Sequence, residues 1–319
     1  MTVTMDRHLV DNGAGWKIAL KRTAKPGARG RPVLIVPGYG MNSFIFGFHP
    51  TGLSLEEHLA SRGLEVWSVD LRGQGQSVRG GGSDAFGMGE LAVDDVRTAI
   101  ARVLDATKTG GTKVDLVGCS LGAALSFAHV ACVREAPVGS LVSLGGLVTW
   151  VKAHGALRVA FASPWLVGKV KVRHTRALAV LALPVIAKLA PSLLSPYMNA
   201  SSTDVSRASE MVQTVEDPNT HMNRQIACWV NERELVVRGV NVSRAVPTMK
   251  YPFLCIVAAH DGIVPVATAR WPYDAIGSSD KQLVVVGDDE VRIAHADLFI
   301  SRVAEERVFK PLAEFLLAR

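Results

Sequence analysis

Seven short, mostly apolar runs are spaced along this chain, separated by segments with helical periodicity. Residues 32–36 (PVLIV) stop at Pro37 and Gly38, 64–69 (LEVWSV) at Asp70, and 114–117 (VDLV) at Gly118. Residues 141–144 (LVSL) stop at Gly145 and Gly146, 253–258 (FLCIVA) just ahead of His260 and Asp261, and 282–286 (QLVVV) at Gly287 and Asp288. Residues 16–20 (WKIAL) read as an early edge strand. Runs this short and this continuously apolar suit strands covered on both faces. Between them, Ser54 and Glu57 form a capping box with Gly63 as the stop. Leu91, Val96, Ile100, Val103 and Leu104 make a helical stripe, a helix follows Gly118 over 121–133, and Phe309, Leu312, Phe315 and Leu316 give an apolar face near the end. Strands alternating with helices predict an α/β fold with a mostly parallel central sheet flanked by helices.

One interval breaks the alternation. About a hundred residues separate the run at 141–144 from that at 253–258, where a crossover needs only a dozen or more. The interval reads as helical and holds Trp150, Trp165, Trp229, Pro184, Pro191 and Pro196. The expected organisation is therefore a core built from residues 1–150 and 250–319, with a helical cap or lid inserted over 151–249. In open α/β sheets the ligand site lies at the carboxyl ends of the strands, so a cap there would shape the pocket and exclude water.

Composition adds little until it is mapped. The chain has 319 residues, 48% of them hydrophobic and 20% charged, and a formal net charge of +6. Residues 151–203 carry seven Lys or Arg (152, 158, 169, 171, 173, 176 and 188) and no Asp or Glu, which leaves the rest of the chain close to neutral. Such a stretch is either a solvated basic face or a surface for anions, including lipid headgroups. No aromatic-interleaved basic stripe or reader motif accompanies it, so nucleic acid is not an expected partner. Cys119, Cys132, Cys228 and Cys255 lie in apolar runs without paired spacing, suggesting neither disulfides nor a zinc site. Residues 1–10 lack the apolar core of a secretory signal, and the apolar stretch 177–194 is broken by Pro184, Lys188 and Pro191, so a cytoplasmic location is expected.

The chemistry concentrates at Gly118-Cys119-Ser120-Leu121-Gly122. A strand that ends in Gly-x-Ser-x-Gly and turns at once into a helix is a nucleophile elbow. The register selects the nucleophile. With Ser120 at the tip, the two positions that must be small are Gly118 and Gly122; with Cys119 there, they would be Val117 and Leu121. Ser120 is therefore the expected nucleophile and Cys119 a small buried residue.

A serine hydroxyl needs a base, and the base an orienting acid. The chain order for such an elbow is Ser, then Asp or Glu, then His. Asp261 follows the run at 253–258 and His295 follows that at 282–286, so both belong to the strand edge that carries Ser120. The acidic loop Asp288, Asp289 and Glu290 is an alternative source of the acid. Asp297 reads as a helix cap, and His49, His58, His129, His154, His174 and His221 as structural histidines. The oxyanion requires backbone N–H donors. Leu121 N–H is one, and Tyr39 N–H, in the loop Gly38-Tyr39-Gly40 after the second run, is the other. Asp70 and Arg72, in DLRGQGQS, read as a structural turn rather than a phosphate cradle.

These motifs together resemble the α/β-hydrolase superfamily over most of the chain outside the insertion. The matching pieces are Pro37–Gly40, Asp70–Ser77, Gly118–Gly122, Asp261–Pro265 and His295–Asp297. The resemblance implies Ser120, Asp261 and His295 as a triad, with Tyr39 and Leu121 as oxyanion donors. It departs from the common pattern at Pro37, where many members carry His. Residues 33–42, 54–55 and 63–67 look like those of lipases and of polyhydroxyalkanoate-synthase-like proteins, which have Cys at the nucleophile position. The expectation is an esterase- or lipase-like hydrolase of small-molecule acyl esters, needing no metal or organic cofactor. Two alternatives remain open: an acyltransferase or thioesterase acting on acyl-CoA, motivated by the basic insertion, and a non-catalytic protein that meets an anionic or lipid surface through it.

Overall fold

All seven runs are strands of one sheet in the computed structural model, which describes residues 3–319. In chain order the strands are β1 (Thr4–Asp11), β2 (Trp16–Ala24), β3 (Val33–Val36), β4 (Val66–Asp70), β5 (Val78–Arg79), β6 (Val114–Cys119) and β7 (Val138–Leu144). A separate two-stranded hairpin, β8 (Val236–Val237) with β9 (Val240–Asn241), precedes β10 (Phe253–Ala258) and β11 (Lys281–Val286). The main sheet runs β1-β2-β4-β3-β6-β7-β10-β11, with β5 also pairing β2. Pairing is parallel from β4 through β11 and antiparallel around β2.

Side-chain alternation along the central strands explains why their sequences are apolar throughout. Val33 and Ile35 of β3 join one core with Val117 and Cys119 of β6, while Leu34 and Val36 join the other with Leu116. The first core is closed by α1 (Leu55–Ser61) and, beyond β11, by α12 (Lys310–Leu317), through Leu55, Leu59, Leu312 and Phe315. The second is closed by α2 (Val96–Ala106) and α3 (Leu121–Cys132), through Val96, Ile100, Leu125 and Phe127. Each such aliphatic or aromatic side chain contributes about 1.5–3 kcal/mol when fully buried. The capping box of α1 is formed: Ser54 N–H donates to Glu57 Oε2 at 3.0 Å and Glu57 N–H to Ser54 Oγ at 3.3 Å. The edge strand β11, last in the sheet order, departs from the fully covered pattern, with Gln282 and Val285 exposed.

The segment between β7 and β10 divides into two parts. The first holds α4 (Gly155–Ala160), α5 (Pro164–Val167) and α6 (Thr175–Leu189). Neither α4 nor α5 buries a residue, and α6 buries only Ala187. The second holds α7 (Ala208–Met211), α8 (Thr220–Glu232) and α9 (Val242–Ala245). Here Met222, Ile226, Trp229 and Val230 of α8 join the α3 side of the core, and Trp229 Nε1–H donates to the Val148 carbonyl at 3.1 Å. Beyond β10, α10 (Val266–Ala275) leads to β11, and α11 (Asp297–Ile300) lies between β11 and α12.

The reading of Asp70 and Arg72 as a structural turn agrees with their contacts. Asp70 accepts the N–H groups of Ser43 and Gln76, both at 2.8 Å, and Arg72 grips Asp95 through Nε at 3.0 Å and Nη2 at 2.7 Å, both residues buried. Removing one partner of such a pair costs about 3–5 kcal/mol.

Candidate active site

Because β3, β6, β7, β10 and β11 run parallel, the loops that leave them open on one edge. From β3 the chain continues to β4 on one side, and from the neighbouring β6 to β7 on the other, and a crevice forms at such a switch point. Tyr39 and Ser120 flank it.

Ser120 sits between β6 and α3 with φ 53° and ψ −121°, a left-handed conformation a serine adopts only under constraint. Its N–H donates to the Leu144 carbonyl at 3.0 Å, which ties the turn to β7. A methyl group at Gly122 would overlap the Val36 carbonyl oxygen, and one at Gly118 would overlap the Ala123 backbone. The turn therefore admits only glycine at both places. Cys119 is fully buried in the core shared with Val117, and burial pushes its thiol well above the usual range. It carries neither exposure nor thiolate character, as the register argument expects.

Asp261 and His295 are in direct contact. His295 Nδ1 lies 2.6 Å from Asp261 Oδ2, both side chains being almost wholly enclosed. The other carboxylate oxygen, Oδ1, accepts the N–H groups of Ile263 and Val264, each at 2.8 Å. The carboxylate is thus fixed from one side and receives Nδ1–H on the other, which leaves Nε2 as the basic nitrogen of the ring. Gly145 and Gly146, at the end of β7, lie between the two halves of the site. A side chain at Gly145 (φ +56°) would be strained, crowd Leu298 at 3.0 Å and touch the His295 ring at 3.5 Å, and one at Gly146 would press on the Ser120 carbonyl. Among the described residues no hydrogen bond joins Ser120 Oγ to His295; catalytic contacts of this kind commonly tighten only with substrate in place.

In the acidic loop, Asp288 is engaged away from His295. Asp288 accepts the N–H groups of Glu290 and Val291 and pairs with Arg307 at 3.1 Å on the surface. Asp297 does not cap a helix with its side chain. It begins α11, whose N-cap is Ala296, and its carboxylate reaches back to Ala294 N–H at 2.8 Å and across to Asn199 N–H at 2.9 Å and Thr203 Oγ1 at 2.6 Å. Burial, with Asp261 nearby, pushes its carboxyl above the usual range. It clamps the His295 loop to the segment that follows α6. His129 is structural: buried on α3, it donates from Nδ1 to the Ala92 carbonyl at 2.8 Å, and burial lowers its pKa to about 4.

The loop Gly38–Asn42 crosses the top of β3 in contact with the elbow; a methyl on Gly38 would lie 2.9 Å from Ser120 Cβ. Among the described residues neither Tyr39 N–H nor Leu121 N–H has a hydrogen-bond partner, and both residues line the same small void of ≈ 40 Å³. That void adjoins a groove of ≈ 920 Å³ through shared walls at Gly73, Phe86 and Asp217–Asn219. The groove is lined by Trp16 and Val172, by Lys169, Lys171 and Arg173, and by Asp84.

Several contacts have no signature in the sequence. Tyr39 Oη donates to Asn223 on α8. Glu216 accepts from Asn42 Nδ2 at 2.5 Å, Gly75 N–H at 2.9 Å and Arg176 of α6 at 2.6 Å. The Tyr197 ring packs 6.1 Å from the His295 ring, centroid to centroid. Each joins residues far apart in the chain, and no local pattern of residue types marks them.

Among the described residues no cluster of His, Cys, Asp and Glu could hold a metal ion, and no helix is long and apolar enough to cross a membrane. A monoacylglycerol lipase from Mycolicibacterium smegmatis is 29% identical to this chain over 235 residues, 72% of each protein. Two solved structures share the fold. The meta-cleavage product hydrolase of Pseudomonas fluorescens superposes with a TM-score of 0.62 at 16% identity, covering 96% of each chain. An esterase from Exiguobacterium antarcticum does so with a TM-score of 0.62 at 18% identity, covering 97% of each. The family described as serine aminopeptidase, S33, matches residues 32–288, from the start of β3 to just past β11, and the chain belongs to that family of α/β-hydrolase fold.

Proposed function

We propose that this protein hydrolyses carboxylic esters through Ser120, His295 and Asp261. The observation that carries the reading is the buried 2.6 Å contact between His295 and Asp261 on the sheet edge where Ser120 is held in a strained turn. Ser120 Oγ attacks the ester carbonyl while His295 Nε2 takes its proton. The oxyanion is held by Tyr39 N–H and Leu121 N–H, the latter at the positive end of α3. His295 then protonates the leaving alkoxide, and the alcohol departs. Water, deprotonated by the same nitrogen, attacks the acyl-enzyme and restores the serine. Asp261 keeps the proton of the resting ring on Nδ1 and stabilises the imidazolium. No metal or organic cofactor enters these steps.

Residues 151–249 act as the cap in this reading, with the poorly buried part, from α4 to α6, as its moving portion. The monoacylglycerol lipase relative supports a small-molecule acyl ester as substrate. Purified Ser120→Ala, assayed on nitrophenyl esters of increasing acyl length, should lose several orders of magnitude in kcat. Near-wild-type turnover would remove the reading.

A second reading has its own observation. The wall of Lys169, Lys171 and Arg173 beside the oxyanion void suits a polyanionic acyl-CoA, which would make the protein a thioesterase or acyltransferase. Reversing those three charges should then raise KM for acyl-CoA and leave KM for a neutral ester unchanged; equal effects on both count against it.

A further inference from the structure

Helix α6 turns its apolar side outward. Leu178, Leu181, Val185 and Leu189 are 59%, 73%, 54% and 76% exposed. At a helix's spacing these four positions fall within an arc of about 80°. On the opposite side Ala187 is buried, so the helix does have a packed side, and the stripe is not it. The exposed apolar surface continues past the helix end at Leu193, 71% exposed. From there the chain meets the candidate site directly: Pro196 and Tyr197 carbonyls accept the N–H groups of Gly262 and Ala296, each at 2.8 Å.

Charge identifies what such a surface fits. The stripe lies in the stretch 151–203, with seven cationic side chains and no carboxylate. Lys188 flanks it, and Lys169 sits 3.9 Å over the ring of the exposed Trp165. Leucines, a tryptophan and lysines on one exposed segment are the composition of a helix that lies in a membrane interface. We propose that this face of the protein docks on an anionic lipid surface, with α6 in the plane of the bilayer and its leucines among the acyl chains. The docking rests on surface chemistry and is independent of the catalytic reading. Only the corollary, that the ester enters from that bilayer past Leu193 and Tyr197, depends on ester hydrolysis.

The test is co-sedimentation of the full chain with sucrose-loaded vesicles of phosphatidylcholine, with and without phosphatidylglycerol. Wild type should partition onto the anionic vesicles at least about 10-fold more strongly than onto neutral ones, and 0.5 M salt should weaken the difference. Leu181→Ser with Leu189→Ser should reduce partitioning at least about 10-fold. Arg158→Glu with Lys188→Glu should abolish the anionic preference, bringing partitioning on the two vesicle types to within about 2-fold. Both double variants should keep wild-type hydrolysis of a short soluble ester, which shows that they fold. Ser120→Ala should sediment like wild type, so a failure of docking and a failure of the catalytic reading are separable. No partitioning of wild type, equal partitioning on the two vesicle types, or retained binding by the leucine variant overturns the proposal. So does a sedimentation-velocity result in which wild type is a dimer and the leucine variant a monomer, since the occupant is then a second copy of the chain.

Discussion

Replacing Asp261 with asparagine removes one charge and no volume, and the surrounding hydrogen bonds decide the consequence for His295. Asp261 Oδ1 accepts two backbone N–H groups, from Ile263 and Val264 at 2.8 Å, while Oδ2 accepts one donor, His295 Nδ1 at 2.6 Å. An asparagine has one acceptor oxygen and one donor nitrogen to share between these sites. Placing its NH2 towards Ile263 and Val264 sets donor against donor twice and leaves both N–H groups unpaired, at about 1–3 kcal/mol each. Placing its oxygen there keeps both bonds and turns the NH2 towards His295. The backbone pair outweighs the single contact, so the second orientation wins. His295 Nδ1 must then accept, the ring proton moves to Nε2, and the nitrogen proposed to take the Ser120 proton can no longer do so. The expected loss in kcat is about 10⁴-fold, or about 5.5 kcal/mol in the barrier, with KM nearly unchanged. The assay is kcat on nitrophenyl butyrate from pH 6 to 9, with a urea unfolding curve to establish that the variant folds. A folded Asp261→Asn that stays within 10-fold of wild type refutes the tautomer argument and, with it, the assignment of Asp261.

Two further outcomes test the structure elsewhere. His129 has a folded pKa of about 4 against 6.5 unfolded, so the unfolded state binds the extra proton first: its contribution is intact above pH 6.5 and is lost as pH falls towards 4, about 3 kcal/mol in all. His129→Gln should therefore flatten the fall in urea midpoint between pH 6.5 and 4 relative to wild type, and parallel curves for the two proteins would contradict the burial argument. Gly122→Ala forces a methyl group onto the Val36 carbonyl, so it should cost at least about 3 kcal/mol or yield a folded protein with kcat lowered at least about 10²-fold; a variant unchanged in both melting temperature and kcat would refute the close packing of α3 on β3.

The legible parts of the sequence are those whose physics is local. β3 and β10 announce themselves because burial on both faces leaves no polar position, β6 does so with Asp115 alone interrupting its apolar run, and the residues after them are fixed by direction of travel. For that reason Ser120, Asp261 and the loop of His295 can be placed on one edge without any long-range contact. β1 is not legible because it lies at a sheet border with polar residues along most of its length; only its pairing with β2, Thr4 opposite Ala24 through Asp11 opposite Lys17, makes it a strand. Asp297 misleads because a carboxylate at a helix start is a common cap, whereas its actual partners, Asn199 and Thr203, lie nearly a hundred residues earlier. The contacts of Glu216 and Asn223 are of the same long-range kind.

The position of Glu216 limits how this enzyme could be re-engineered. Asn42 N–H donates to the Thr214 carbonyl and Glu216 N–H to the Gly40 carbonyl, each at 2.9 Å, so residues 213–216 form one wall of the loop that would hold the oxyanion. A chimera that exchanged residues 151–249 with those of a relative would discard that wall along with helices α4 to α9. Transplanting specificity would thus disturb turnover, unless the graft ended ahead of Gln213 and left α8 in its native setting.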